Sequence, residues 1–251
     1  MFHVKRFEKL SQFAEKNNLV LSAEDLEKFS QFCSTLIAEN KVMNLTAIDD
    51  PDEIEIKHFI DSLEAATAIN RLWSENQGPE ETFRLVDVGT GAGFPGIPLK
   101  IYFKNAHFTL LDSLNKRILF LNKVINQLQL ENIEAVSSRA EDFAKVGSVS
   151  RETFDFCVSR AVADMSVLLE YCLPMVTVGG YCILYKSGDF QEELENAKKA
   201  MEVLGGELAG IEEFTLPETD AGRCLILIKK IKATPDKYPR RSGKPSKSPI
   251  K

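Results

Sequence analysis

The sequence predicts an α/β protein: a mostly parallel sheet with helices on both faces, closed by one antiparallel C-terminal hairpin and preceded by an all-helical segment. Three observations lead there. From Phe83 onward, short apolar runs alternate with amphipathic stretches. The last two apolar runs are joined by only "PETDAG", too short for a crossover, so those strands pair antiparallel. No strand pattern precedes residue 80.

The helical segment comes first. "SAEDLEKFSQFCSTLIAEN" opens on Ser22, a predicted N-cap, and keeps apolar residues at Leu26, Phe29, Phe32, Cys33, Leu36 and Ile37. "DPDEIEIKHFIDSLEAATAI" places Asp50 before Pro51 at the first helical position, with a stripe through Ile56, Phe59, Ile60, Leu63, Ala66 and Ile69. The polar stretch Ser74–Thr82, with its Gly-Pro pair, reads as the join to the strand-containing region.

Strands are then predicted at 83–89, 107–112, 133–137, 154–160 and 181–186, with helices near 96–103, 114–129, 139–145, 163–173 and 190–203. Strand–helix–strand repetition implies crossovers and a parallel sheet. The closing hairpin is 206–216 with 223–231. This arrangement is that of the Rossmann-like class I AdoMet-dependent methyltransferases. The predicted organisation is a helical region over 1–75, the cofactor-binding domain over 80–232 and a basic, Pro-rich tail over 233–251.

Composition bounds the function. The chain has 251 residues, 44% hydrophobic and 27% charged, which is ordinary for a globular protein able to bury a full core. No run of 18 apolar residues suggests a membrane span, and the N-terminus lacks a signal core, so a cytoplasmic protein is expected. Five cysteines without C-x-x-C spacing read as buried thiols, and three histidines form no ligand cluster; no metal is expected. Net charge is −6, yet residues 229–251 carry +8, leaving the body at −14. A basic tail on an acidic body suits a phosphate backbone; a merely solvated tail is the plainer alternative.

"RLVDVGTGAGFPGIPLK" raises the question of chemistry. Gly89, Gly91, Gly93 and Gly96 follow directly on the first strand, where α/β sheets bind ligands. Glycine allows positive φ and lets a ligand lie against the main chain. Pro95 and Pro98 prepare a helix start with free N–H groups. The loop also satisfies G-x-G-x-x-G, so a dinucleotide remains possible on spacing alone. Asp112, after the second strand, suits a ribose in either case. Three features favour AdoMet: Asp87, whose carboxylate is expected to face the cofactor's cationic amino end; Pro95 inside the would-be dinucleotide fingerprint; and the C-terminal hairpin. No [DN]-P-P-[YF] motif appears, Cys157 alternates into a strand and reads as core, and no base stands beside a nucleophile.

Taken with "NLTAI" (44–48), "HFIDSL" (58–63), "VDVGTGAGFPGIPL" (86–99), "LLDSLNKRILFLN" (110–122), "SRAED" (138–142), "SRAVA" (159–163) and "KYPRRSGKPSKSP", the sequence resembles the bacterial 16S rRNA (guanine-N7) methyltransferase G family, also called the glucose-inhibited division protein B family, over nearly its whole length. The resemblance implies S-adenosyl-L-methionine as cofactor and N7 of a guanine in the 530 loop of 16S rRNA as acceptor. It implies that Gly89, Thr90, Gly91, Gly93 and Phe94 line the cofactor, that Asp112 with Ser113 holds the ribose, that Ala140 and Glu141 flank the adenine, and that Arg160 sits near the methionine end. "YKSGD" departs from the family's more compact Lys-Gly turn, and Lys186 within it is expected as an RNA contact.

Guanine N7 carries a lone pair and no proton, so no essential acid–base residue is expected. The small ribosomal subunit is the expected partner, with no DNA, no membrane and a monomer as the simplest state. RNA contacts are expected from Lys116 and Arg117, placed where a helix dipole disfavours cations, and from Lys237, Tyr238, Arg240, Arg241 and Lys244 on a tail kept extended by prolines. Asn44, His58 and Asp61 are expected first as structural hydrogen-bonding residues and second as a wall of the guanine pocket. Two other readings stay open: a methyltransferase for a small-molecule or protein acceptor, which would leave the tail dispensable, and an NAD-dependent oxidoreductase.

Overall fold

Ser22 caps the first long helix reciprocally: its hydroxyl accepts from Asp25 N while the Asp25 carboxylate accepts from Ser22 N at 2.8 Å. That helix is α2 (Ala23–Met43), preceded by α1 (Glu8–Lys16). Asp50 caps the next start, accepting from Asp52 N and Glu53 N ahead of Pro51. From there α3 (Pro51–Ile54) runs through a π-helical stretch (Glu55–Ile60) into α4 (Asp61–Asn76). The computed structural model describes residues 7–76, 82–160, 163–188, 190–220 and 222–251; residues 77–81 of the expected join at 74–82 lie outside them.

Seven strands form one sheet in the order β3-β2-β1-β4-β5-β7-β6. They are β1 (Arg84–Val88), β2 (His107–Asp112), β3 (Ile133–Ser137), β4 (Phe154–Arg160), β5 (Val176–Ser187), β6 (Gly206–Thr215) and β7 (Gly222–Lys230). β1 to β5 are parallel, and β7 runs antiparallel to both β5 and β6. The fold is the Rossmann-like one that the alternation predicts. One strand is longer than its apolar run suggests: β5 begins at Val176, not 181. Gly180 permits this, because a Cβ there would lie 2.5 Å from the Asp155 carbonyl of β4.

The crossovers are α5 (Gly96–Tyr102), α6 (Asn115–Gln127), α7 (Ala140–Phe143), α8 (Met165–Cys172) and α9 (Gln191–Leu204). Strand period two sends alternate residues to two cores. Leu85, Phe156, Val158, Tyr181, Ile183 and Tyr185 face the core shared with the N-terminal helices, so those helices and the sheet bury one apolar mass. Val86, Val88, Cys157, Cys182 and Leu184 face the core under α8 and α9. All five cysteines are buried. The sequence spacing hides one thing about them: Cys157, Cys172 and Cys182, from β4, α8 and β5, bring their sulfurs within 4.8 Å of one another.

The tail corrects an expectation. It is not extended. Arg151 holds it by donating to the carbonyls of Thr234 (2.7 Å) and Tyr238 (2.8 Å). Arg240 grips the fully buried Glu170 of α8 through both carboxylate oxygens. A short helix α10 (Lys244–Lys247) follows, with Pro245 and Ile250 buried. The prolines shape turns against the body because specific long-range partners offset the entropy of ordering the segment.

Candidate active site and cofactor cleft

A cavity of about 860 Å³ opens at the carboxyl ends of β1, β2 and β4, where the strand order reverses. Its floor is the glycine loop. Gly89 N and Thr90 N donate to Leu111 O at 2.9 and 3.1 Å, tying the loop to β2. Gly93 N and Phe94 N then donate back to Thr90 O, closing a tight turn. Gly91 has φ +61° and open space where a side chain would project, its nearest neighbour being Gly89 O at 3.9 Å. This is a bare main-chain surface facing the cavity. Gly93 serves differently: it lies off the cavity wall, and a Cβ there would meet Ile97 Cδ1 at 2.4 Å, so this glycine lets α5 close on the loop.

Asp87 departs from its expected role. Its carboxylate does not face a ligand but lies fully buried beneath the loop, where Oδ2 accepts from Gly96 N at 2.8 Å. The free N–H expected at the start of α5 is therefore taken from below. Burial is the largest influence on Asp87 and pushes its pKa up from 3.8 to about 6, against the lowering effect of its Thr90 and Gly96 contacts. Asp87 follows Leu85 in the strand alternation, which sends it into the packed side under α5.

Asp112 stands at the cavity. Its Oδ1 accepts from Leu114 N (2.9 Å), and its Oδ2 accepts from Gly91 N and from Arg117 Nη1 (both 3.0 Å). A carboxylate offers about four acceptor directions, so one remains, and the half-exposed Arg117 can yield another. Ser113 is exposed beside it, and Ala140 and Glu141 form the adjoining wall at the start of α7. Glu141 accepts from Gly243 N of the tail at 2.8 Å. The tail thus braces this wall, with Ser242 also donating to Asp142.

The opposite wall comes from the N-terminal helices. His58 stacks on Phe94 with ring centroids 4.4 Å apart, and Arg160 lies over the same ring at 5.2 Å. His58 Nε2 lies 2.9 Å from Thr46 Oγ1, and Nδ1 lies 3.1 Å from Lys57 O. The carbonyl can only accept, which makes Nδ1 the protonated nitrogen and Thr46 the donor to Nε2. Burial first, then the Arg160 charge, pull the His58 pKa down to about 3. Arg160 donates to Asp61 Oδ2 and reaches Ser62 Oγ. Tyr185 donates to Ser62 O at 2.6 Å. Lys186, also on the wall, is paired with Glu193 and donates to Ala163 O at 3.0 Å.

The cavity therefore unites Gly89, Thr90, Gly91, Phe94, Asp112, Ser113, Ala140, Glu141, Arg160, Arg117 and Lys186. Among the residues expected to contact RNA, Lys116 is off the cavity, exposed and directed at Met43 O. Tyr238 packs partly buried on the second core, with Lys237 over its ring at 5.3 Å, and Arg240 is committed to Glu170. Tyr238 and Arg240 are thus corrected from RNA contacts to structural members of the tail. Arg241 and Lys244 are exposed on either side of the Ser242–Gly243 pair that is bonded to α7, which leaves them beside the cleft. Sequence reasoning missed Tyr185 and Arg223 as wall residues. The first was accessible: Tyr185 shares strand parity with Tyr181 and Ile183, as Arg160 does with Phe156 and Val158.

Comparison with known proteins decides the affiliation. The family model described as rRNA small subunit methyltransferase G (GidB) matches residues 25–220. The chain belongs to this family. It is 50% identical over 230 residues to the ribosomal RNA small subunit methyltransferase G of Acetivibrio thermocellus, covering 92% of this chain and 90% of that one. The Bacillus cereus relative of the same name is 45% identical over 243 residues, 97% of this chain and 98% of its own. Among solved structures, PH0793 from Pyrococcus horikoshii superposes with a TM-score of 0.52 at 13% identity, covering 69% of this chain and 64% of that one, a likeness of fold alone. The chain is an AdoMet-dependent rRNA methyltransferase. The cleft fits that cofactor: a side-chain-free cradle at Gly91, a carboxylate at Asp112 with acceptor capacity left, and a buried acceptor oxygen on Asp61 that accepts no hydrogen bond among the described residues.

Proposed function

We propose that this protein transfers a methyl group to N7 of a guanine in the 530 loop of 16S rRNA, acting as a monomer in the cytoplasm on the small ribosomal subunit, with no part for DNA or a membrane. The observation that carries the reading is the state of His58. This histidine on the cleft wall has its Nε2 lone pair occupied by the Thr46 hydroxyl and its pKa held down to about 3. A general base works best with a pKa near the operating pH, so His58 is poorly suited to remove a proton. An acceptor atom that carries none is the matching chemistry, and guanine N7 is such an atom.

When bound, AdoMet supplies an electrophilic sulfonium methyl. The chain supplies position. The Gly89–Gly91 backbone and Asp112 hold the nucleoside end, and Phe94, packed against both His58 and Arg160, forms a partition on the floor. Alignment of this kind can lower a barrier by ~7–11 kcal/mol without any proton transfer. Exposed Lys237, Arg241 and Lys244 meet phosphates.

The test is methyl transfer from labelled AdoMet to unmodified small subunits, with bulk tRNA and no-RNA controls and digestion of the RNA to nucleosides. Label in 7-methylguanosine, confined to small-subunit rRNA, is expected. Label in another nucleoside overturns the N7 reading, and label absent from all RNA redirects the search to small-molecule or protein acceptors. Deleting the tail does not separate these acceptors, because the tail braces Glu141 in the cofactor wall.

A further inference from the structure

Asp61 is the first residue of α4, directly after the π-helical stretch. The wider turn of that stretch keeps Phe59 and Ile60 in the core while His58 and Asp61 line the cavity. The Asp61 side chain is only 5% exposed. Its Oδ2 receives Arg160. Its Oδ1 is buried and accepts no hydrogen bond among the described residues. Arg223 Nε stands 3.7 Å from that oxygen, an ion-pair distance beyond hydrogen-bond reach.

The other acids on the wall are differently placed. Asp112 already accepts from Leu114, Gly91 and Arg117, Glu141 accepts from Gly243, and Glu193 accepts from Lys186 and Met165 N. Asp87, the carboxylate expected to meet the cofactor's amino group, is sealed below the loop. A buried charged oxygen left without a hydrogen bond is costly, and such orphans mark places where a ligand completes the bonding. Around this orphan stand two guanidinium groups and one carboxylate, so the patch has an anion acceptor and a cation acceptor side by side. A zwitterionic α-amino acid presents the complementary pair.

We infer that Asp61 completes the methionine end of the cofactor site already expected at Arg160, its Oδ1 accepting from the ammonium group of S-adenosyl-L-methionine while the Arg160 guanidinium faces the carboxylate, the two forming a clamp. The clamp rests on AdoMet as the cofactor and is independent of which RNA atom is methylated. It also gives the N-terminal helices a direct part in cofactor binding, because Asp61 belongs to them while Arg160 ends β4.

Titration calorimetry on the full chain tests the clamp, using AdoMet and 5′-methylthioadenosine, which keeps the nucleoside and thioether but lacks the amino-acid end. Asp61→Asn is expected to weaken AdoMet about 10- to 100-fold, the range for a hydrogen bond to a charged group, and to leave 5′-methylthioadenosine within about twofold. Parallel loss of both ligands would show that Asp61 merely supports the wall and would overturn the clamp. Unchanged binding of both, with a raised KM for RNA, would overturn it in favour of an acceptor-base contact. Should Asp61→Asn fail to fold, the unaltered protein decides the matter. It is expected to bind deaminated AdoMet at least about tenfold more weakly than AdoMet, and equal binding would sink the proposal. Absence of AdoMet binding by the unaltered protein would instead remove the cofactor assignment itself.

Discussion

The two walls of the cleft are built in different ways. The strand-end wall comes from consecutive strand–loop–helix units, so Gly89 and Thr90 are held by backbone bonds to Leu111 and Gly91 by the Asp112 carboxylate at the end of the same neighbouring strand. The opposite wall gathers Thr46, His58 and Asp61 from the helical segment against Arg160 and Tyr185 from the sheet, across gaps such as the 99 residues between Asp61 and Arg160. The Glu141 corner is likewise braced by a tail residue 102 positions away. The first wall is rigid by local geometry. The second exists only when the rest of the chain has folded around it.

That contrast can be broken first at Gly96. Ala there would place its Cβ 2.3 Å from Leu110 Cδ2 and 2.8 Å from Asp87 Oδ2. Overpacking of this severity costs about 3 kcal/mol or more, so urea unfolding should show a large loss for Gly96→Ala. Gly91→Ala should cost only about 1 kcal/mol, because φ +61° is its sole strain. Its larger effect is expected on AdoMet affinity, and equal destabilisation by the two would refute the division between packing and cradle glycines.

The tail brace comes next. Arg240→Ala strands the fully buried Glu170 carboxylate and should destabilise by about 2–3 kcal/mol, since Arg240 itself is partly solvated. AdoMet affinity should fall with it through the Glu141 corner. An Arg240→Met, Glu170→Leu double variant should recover most of the stability. A tail that only contacts RNA would leave the melting temperature of Arg240→Ala unchanged.

Titration sharpens the comparison further, because the walls respond to pH with opposite sign. The folded pKa of Asp87, about 6, lies above its ordinary 3.8, so folding takes up a proton. Its contribution to stability is best below pH 4 and is lost as pH rises through 6. Asp87→Asn should therefore gain on the order of 2 kcal/mol over the unaltered protein at pH 8 and nothing at pH 4, provided the amide oxygen still accepts from Gly96 N. The folded pKa of His58, about 3, lies below its ordinary 6.5. Its contribution is present above pH 6.5 and fades as pH falls toward 3, so His58→Gln should flatten part of the acid limb. Denaturant melts from pH 4 to 8 check both slopes.

The smallest expected effect on stability is at the exposed cations. Arg241→Ala and Lys244→Ala should leave the melting temperature within about 0.5 kcal/mol equivalent. Each should reduce the salt dependence of RNA binding by about one counterion. An unchanged salt slope would place the RNA elsewhere.

Local sequence patterns determine much of this molecule. Ser22 with Asp25 and Asp50 with Pro51 announce helix starts through local hydrogen bonds. The alternation after Phe83 and the short "PETDAG" loop determine a parallel sheet with a closing hairpin, because crossover length is a local constraint. The glycine loop, Asp112 and Glu141 come to one cavity because they follow successive strands of that sheet. Tertiary structure decided the rest. Asp87 could not be oriented from sequence, since both faces of a parallel strand are buried and periodicity does not say which face meets the ligand. The tail's prolines and charges read as an extended RNA-contacting segment until Glu170, 70 residues earlier, supplied a buried partner for Arg240. His58 became neutral, and Asp61 kept one buried oxygen that accepts no hydrogen bond among the described residues, only when the N-terminal helices closed over Phe94. Local spacing sets strands, turns and caps, whereas burial and long-range pairing set the direction and the charge of each functional group.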